Sequence, residues 1–237
     1  EDEKYILDYR PWARQRRYAY KRLYDGECMF MDDQLAPILA RLARAPRTIV
    51  IITADHGEEF WEHGKYNFGH GKSVYDTLTR IPLIVSVPDT PPARLETPVS
   101  LVDLGPTILT LYGREPLPTM QGRPFLQADG RPVDKRSPIF IGSGFFRVAP
   151  GKPKRRDAAV LWPYKLILPH QNLRAPGKYY NLARDPRERR SLPQDELAHR
   201  LRRELTAWND AQRQARYEPD NFGGAAAPDL RALGYIR

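Results

Sequence analysis

The stretch from Thr53 to Lys72 holds most of the groups in this chain that could do chemistry. It reads Thr53-Ala54-Asp55-His56-Gly57-Glu58-Glu59-Phe60-Trp61-Glu62-His63-Gly64 and, after four residues, Gly69-His70-Gly71-Lys72. Three of the 5 histidines, His56, His63 and His70, fall here, each beside a glycine. Asp55 offers a hard anionic oxygen and His56 a borderline nitrogen, a pair that suits zinc or manganese better than calcium. Two ligands do not complete a metal site, so the remainder must come from elsewhere in the fold. The plainer alternative is a solvated polar loop. Glycine-flanked histidines after an apolar strand, with Lys72 two residues past the last, favour a site.

The elements that must position these residues can be read from periodicity. Tyr24, Cys28, Met31, Leu35, Ile38 and Leu42 recur at helical spacing and predict one apolar stripe within a helix from Pro11 to Arg44, with Cys28 as a small buried hydrophobe. Gly26 and Pro37 inside it predict a break or kink. Thr48 to Thr53 is apolar and β-branched without alternation, which predicts a strand buried on both faces in a parallel or mixed sheet. It ends at Asp55-His56, and ligands in open α/β sheets bind beyond the carboxyl ends of strands. A polar loop to about Gly71, a short helix from Ser73 to Thr79, a second buried strand from Ile81 to Val87 and a helix from Val99 to Tyr112 follow. Residues 114–136 are rich in turn formers. Beyond them, Ile139 to Ile141, Ala158 to Trp162 and Tyr164 to Leu168 predict short antiparallel strands, and Pro193 to about Arg216 a last helix with Leu197, Leu201, Leu205 and Trp208 on one face. Two units result: 1–136, carrying the metal-binding α/β segment, and 137–237, a small sheet plus helix.

Composition sets outer bounds. The chain has 237 residues, 41% apolar and 28% charged, which is ordinary globular usage. Its 23 prolines predict many rigid turns. The net charge of +9 comes mostly from scattered arginines, with one local basic loop, Lys152 to Arg156. No zinc-finger spacing, aromatic RNA-binding motif or basic heptad helix accompanies it, so no nucleic-acid partner is expected. One cysteine excludes an internal disulfide framework. No run approaches the ~20 apolar residues of a membrane span.

Taken together, several motifs resemble the sulfatase family of the alkaline phosphatase superfamily. Asp55-His56-Gly57-Glu58, Glu62-His63-Gly64, Gly69-His70-Gly71-Lys72-Ser73-Val74-Tyr75-Asp76 and Arg80 to Val85 are similar to that family's C-terminal metal-site segment. Tyr24-Asp25-Gly26-Glu27 with Met31 to Leu35 resembles the helix before it, and Val99 to Leu109 the helix after it. Tyr179-Tyr180-Asn181-Leu182-Ala183-Arg184-Asp185-Pro186-Arg187-Glu188 resembles the family's late Tyr-Asp-Leu and Asp-Pro-x-Glu turn, and Leu230 to Ile236 a frequent bacterial terminus. The fold this implies is the C-terminal part of an α/β/α sandwich with a small late antiparallel sheet and C-terminal helix. The resemblance implies one divalent metal held in part by Asp55 and His56. Calcium is the family's metal where Asn replaces His56; manganese or zinc enters because of the imidazole. His70 and Lys72 would face the transferred sulfuryl group, with His70 as general acid and Lys72 stabilising charge. The family's catalytic lysine often lies four residues before the tyrosine matching Tyr75, whereas Lys72 lies three before it, so His70 or Lys72 fills that place. His63 is expected to support the site from behind.

The family's nucleophile, a formylglycine made within Cys/Ser-x-Pro-x-Arg, has no counterpart. Cys28-Met29-Phe30-Met31-Asp32 lacks both the proline and the arginine; Ser86 to Thr90 and Ser191 to Asp195 have the proline alone. The expectation is therefore the C-terminal portion of a hydrolase of small-molecule or glycan sulfate esters, inactive alone and partnered by a missing N-terminal half. Alternatives are a phosphodiester or phosphonate hydrolase of the same superfamily, or a non-catalytic fragment binding metal or a polyanion. The compartment is left open: periplasmic or secreted by resemblance to exported relatives, or cytoplasmic.

Overall fold

The computed structural model describes residues 13–64, 68–71, 73–133, 137–143 and 155–214. Lys72, most of the basic loop and the motif from Leu230 to Ile236 lie outside the described residues.

The first helix, α1, runs unbroken over Ala13–Leu42, through both Gly26 and Pro37. The helix continues despite the cost of both residues. Pro37 forfeits one hydrogen bond, from its missing N–H to the Asp33 carbonyl, in an exposed stretch where water can serve that oxygen. The apolar stripe is not buried either: Tyr24, Met31 and Ile38 are exposed, as is Cys28. Periodicity states which face a helix can bury and does not provide the neighbour that buries it. Where α1 does pack, it meets the histidine segment. Tyr20 lies edge-on to Phe68 and Tyr24 to Phe60, and Lys21 pairs with Glu62.

Strand β1 (Val50–Thr53) pairs with β4 (Leu83–Ser86), and the pairing is antiparallel, Val50 opposite Ser86 and Thr53 opposite Leu83. One expectation is narrowed here and another fails. Of the parallel or mixed sheet expected, the all-parallel form is excluded by this pair, and burial on both faces fails: Ile84 is 59% exposed, and the sheet has two strands among the described residues. The polar loop contains a small hairpin, β2 (Glu59–Phe60) with β3 (Phe68–Gly69). Helix α2 is one turn, Asp76–Thr79. The helix expected from Val99 starts later, as a 3-10 turn over Leu101–Asp103 that leads into α3 (Leu104–Leu111). Asp103, buried, accepts the Ser100 amide on one oxygen and the Arg123 amide on the other, so it tethers the following loop.

The late sheet is a four-stranded antiparallel meander, β5 (Ile139–Gly142), β6 (Arg156–Leu161), β7 (Tyr164–Pro169) and β8 (Lys178–Asn181), in that spatial order. Alternation gives it two apolar faces. One packs Ala159, Leu166, Leu168 and Tyr179 against Ala198, Leu201 and Leu205 of α4 (Glu196–Gln214). Asp195 caps that helix by accepting the Ala198 amide. The other face packs Ala158, Val160, Ile167 and Tyr180 against Val74 and Tyr75, which lead into α2. The late sheet thus forms the floor under the histidine segment.

Candidate functional site

Asp55 and His56 sit just past the end of β1, with side chains 87% and 42% exposed. The Asp55 carboxylate accepts the His56 amide at 2.9 Å, which turns the two side chains to the same side. His56 Nδ1 lies 2.8 Å from the Gly57 carbonyl and so donates to it. That leaves the Nε2 lone pair free, 3.7 Å from the second Asp55 oxygen. An imidazole whose other nitrogen donates to a backbone carbonyl is the arrangement metal-binding histidines adopt. The donor chemistry of this pair therefore fits two positions of a metal site. Among the described residues no group of three or more His, Cys, Asp or Glu converges to complete one.

Gly57 fixes this corner against α2. Its amide donates to the Leu78 carbonyl, and a Cβ at position 57 would lie 2.2 Å from the Thr77 carbonyl oxygen. The hairpin brings in the third histidine from the opposite side. His70 lies between Gly69 and Gly71, whose φ of 81° and 78° are left-handed, and its ring stacks on His56 at 4.3 Å between centroids. Its Nδ1 is 3.3 Å from a Glu58 oxygen. Asp55, His56 and His70 are thus brought together.

His63 is elsewhere. It is buried, its ring stacked on Tyr75 at 3.6 Å. Nδ1 is 2.7 Å from Glu59, and Nε2 is 3.0 Å from the Arg187 carbonyl. Both partners accept, so the protonated ring, with hydrogen on both nitrogens, is the form that satisfies both contacts at once. Burial alone would disfavour that charge. The Glu59 and Arg187 hydrogen bonds, with the negative charges of Glu59 and Glu188, outweigh it and hold the pKa above the ordinary imidazole value.

Beside it, the Lys165 ammonium is fully buried, 2.8 Å from Asp76 and 3.0 Å from Glu188. The second Glu188 oxygen accepts the Asp76 amide at the start of α2. Burial pushes the Glu188 carboxyl up despite the pull of Lys165. Glu188 also sits at a φ of 49°, unusual for a side chain with a Cβ and held there by these contacts. The late turn thus reaches under the site through the Arg187 carbonyl and the Glu188 carboxylate. Sequence reasoning passed over Glu58, Glu59 and Lys165. A lysine amid Leu166-Ile167-Leu168 in an apolar strand was the available signal for the last.

A cavity of about 900 Å³ lies behind β1 and β4, lined by Thr53, Leu83, Val85, Phe125, Ile139 and Val160 among others. Asp55, His56 and His70 do not line it, so it is separate from the candidate chemistry.

Residues 3–114 match the family model of Sulfatase. An 84-residue segment is 40% identical to the uncharacterized sulfatase YidJ of Escherichia coli, covering 35% of this chain and 16% of that protein. Residues 3–114, just under half of the chain, are thus similar to the sulfatase family. Solved structures agree on the fold. The phosphonate monoester hydrolase of Agrobacterium radiobacter superposes with a TM-score of 0.64 at 24% identity, over 85% of this chain and 43% of that one. A protein solved in complex with its substrate D-glucosamine-2-N,6-O-disulfate superposes with a TM-score of 0.53 at 23% identity, over 77% and 37%. The chain has the mixed helix-and-sheet fold of those neighbours, with the expected late antiparallel sheet and C-terminal helix. It spans well under half the length of the relatives it matches.

Proposed function

We propose that this chain is the C-terminal portion of a hydrolase of sulfate esters, small-molecule or glycan, and supplies one wall of its active site. The observation that carries the reading is the corner at the end of β1, where Asp55, His56 and His70 meet within a segment of sulfatase sequence. Asp55 and His56 would hold a divalent ion, calcium by family habit or manganese or zinc given the imidazole. When bound, that ion supplies Lewis-acid polarisation of an ester oxygen. His70 donates a proton to the leaving oxygen, and Lys72 balances negative charge on the transferred group. His63, with neither nitrogen free, supports the segment and contacts no substrate. The nucleophile comes from outside this chain, so the chain alone does not turn over. The neighbour solved with a glucosamine disulfate supports a glycan sulfate as one substrate class.

A second reading, an ester of phosphorus, has the support of the phosphonate monoester hydrolase fold. Turnover by the full-length protein decides between them. Hydrolysis of an aryl sulfate, lost on chelation and in Asp55→Ala and His56→Ala, is expected. Preference for an aryl phosphonate would favour the second reading. Sulfate turnover by the 237-residue chain alone would overturn the placement of the nucleophile.

A further inference from the structure

Glu58 and Glu59 are neighbours in the chain with opposite surroundings. Glu59 is buried, with one oxygen 2.7 Å from His63 and the other accepting the Ser73 hydroxyl at 2.8 Å. Successive strand residues face opposite ways. With Glu59 held inward, Glu58 must turn to the face that carries His56 and His70. The register of the hairpin then aligns it: Phe60 pairs with Phe68 and Glu59 with Gly69, so one step further sets Glu58 opposite His70. The carboxylate lies over that backbone, its Oε1 3.5 Å from where a Cβ at Gly69 would be, and its Oε2 3.3 Å from His70 Nδ1.

We infer that Glu58 is a positioning residue that sets the tautomer and direction of the His70 imidazole. The inference rests on the proposed function only in taking His70 as the group that meets substrate. A carboxylate accepts and does not donate, so the hydrogen of the neutral ring is held on Nδ1 and Nε2 faces outward. Free imidazole side chains in water favour the other tautomer, with hydrogen on Nε2. Glu58 therefore reverses the default and dedicates one nitrogen to the solvent-facing side, as a carboxylate does for a histidine in hydrolytic triads.

Nitrogen NMR of the imidazole side chains, on the chain itself without metal or substrate and with the ring neutral, reads this directly. The expected result is hydrogen on Nδ1 of His70 in the wild type, a shift toward the Nε2–H form in Glu58→Ala, and retention of Nδ1–H in Glu58→Gln, whose amide carbonyl still accepts. Glu58 is partly exposed, and unchanged late-sheet amide signals verify that each variant folds. A wild-type ring protonated on Nε2, or a Glu58→Ala ring indistinguishable from wild type, overturns the inference. Neither outcome bears on the ester hydrolysed, which is judged by turnover, so the two readings fail separately.

Discussion

The histidine segment and the late sheet solve the problem of holding shape in contrary ways. The late sheet buries apolar side chains on both faces, with Leu201 and Leu205 on one side and Val74 and Tyr75 on the other. The histidine segment leaves Asp55, His56 and His70 open to solvent, and beside Phe60 what it buries is largely polar: Glu59, Ser73 and the His63 ring. Side chains that must meet a ligand cannot also form a core. Strands of two residues have little area to bury, so aromatic packing against α1 and directed polar contacts, one of them to the late turn, hold them together.

That contrast can be broken or sharpened by experiment. The largest effect is expected from Lys165→Ala, which strands Asp76 and Glu188 beneath the site. Removing one member of a buried ion pair costs about 3–5 kcal/mol, to be read as a shift in urea denaturation. Leu201→Ala, a cavity in the purely apolar face, should cost about 3 kcal/mol. It should leave the His56 and His70 resonances in place, whereas Lys165→Ala moves them. If both variants disturb the histidines equally, the division between polar ties and apolar floor is wrong.

A pH dependence comes next. His63 has a folded pKa above its unfolded value, so its contribution is fully present below the ordinary imidazole pKa of about 6.5 and is lost as pH rises through the folded value. Stability should therefore decline over that window and the slope should vanish in His63→Gln; denaturation at several pH values tests both. The smallest effect is expected from Asp55→Ala. An exposed carboxylate should change stability by no more than about 0.5 kcal/mol, while the full-length enzyme loses metal-dependent turnover. A large loss of stability would give Asp55 a place in the fold instead.

How much was legible in the sequence differs between the same two regions. The late sheet and α4 were readable because Leu166, Leu168, Leu201 and Leu205 follow the periods of strand and helix. β8 escaped that reading: Tyr179-Tyr180 registered as part of a motif, and its pairing with Leu166 and Lys165 is a long-range fact. In the histidine segment, residue type singled out Asp55, His56 and His70. His63 was set behind them by the resemblance alone; the contact that holds it there, a carbonyl 124 residues later, was not legible. Burial was misjudged at β1, β4 and Cys28 for one reason. Apolar composition licenses burial, and only neighbouring chain supplies it.

The contact between His63 and Arg187 has a consequence for how this molecule will answer mutagenesis. Its acceptor is a main-chain oxygen, and the Arg187 side chain points into solvent. Any residue placed at position 187 still presents that carbonyl, so a side-chain scan across the late turn will pass over one of its main connections. Only a change in the path of the backbone, an insertion or deletion between Asp185 and Glu188, would silence it. Tolerance at position 187 would then mean that the link is carried by the one part of the residue that substitution cannot reach.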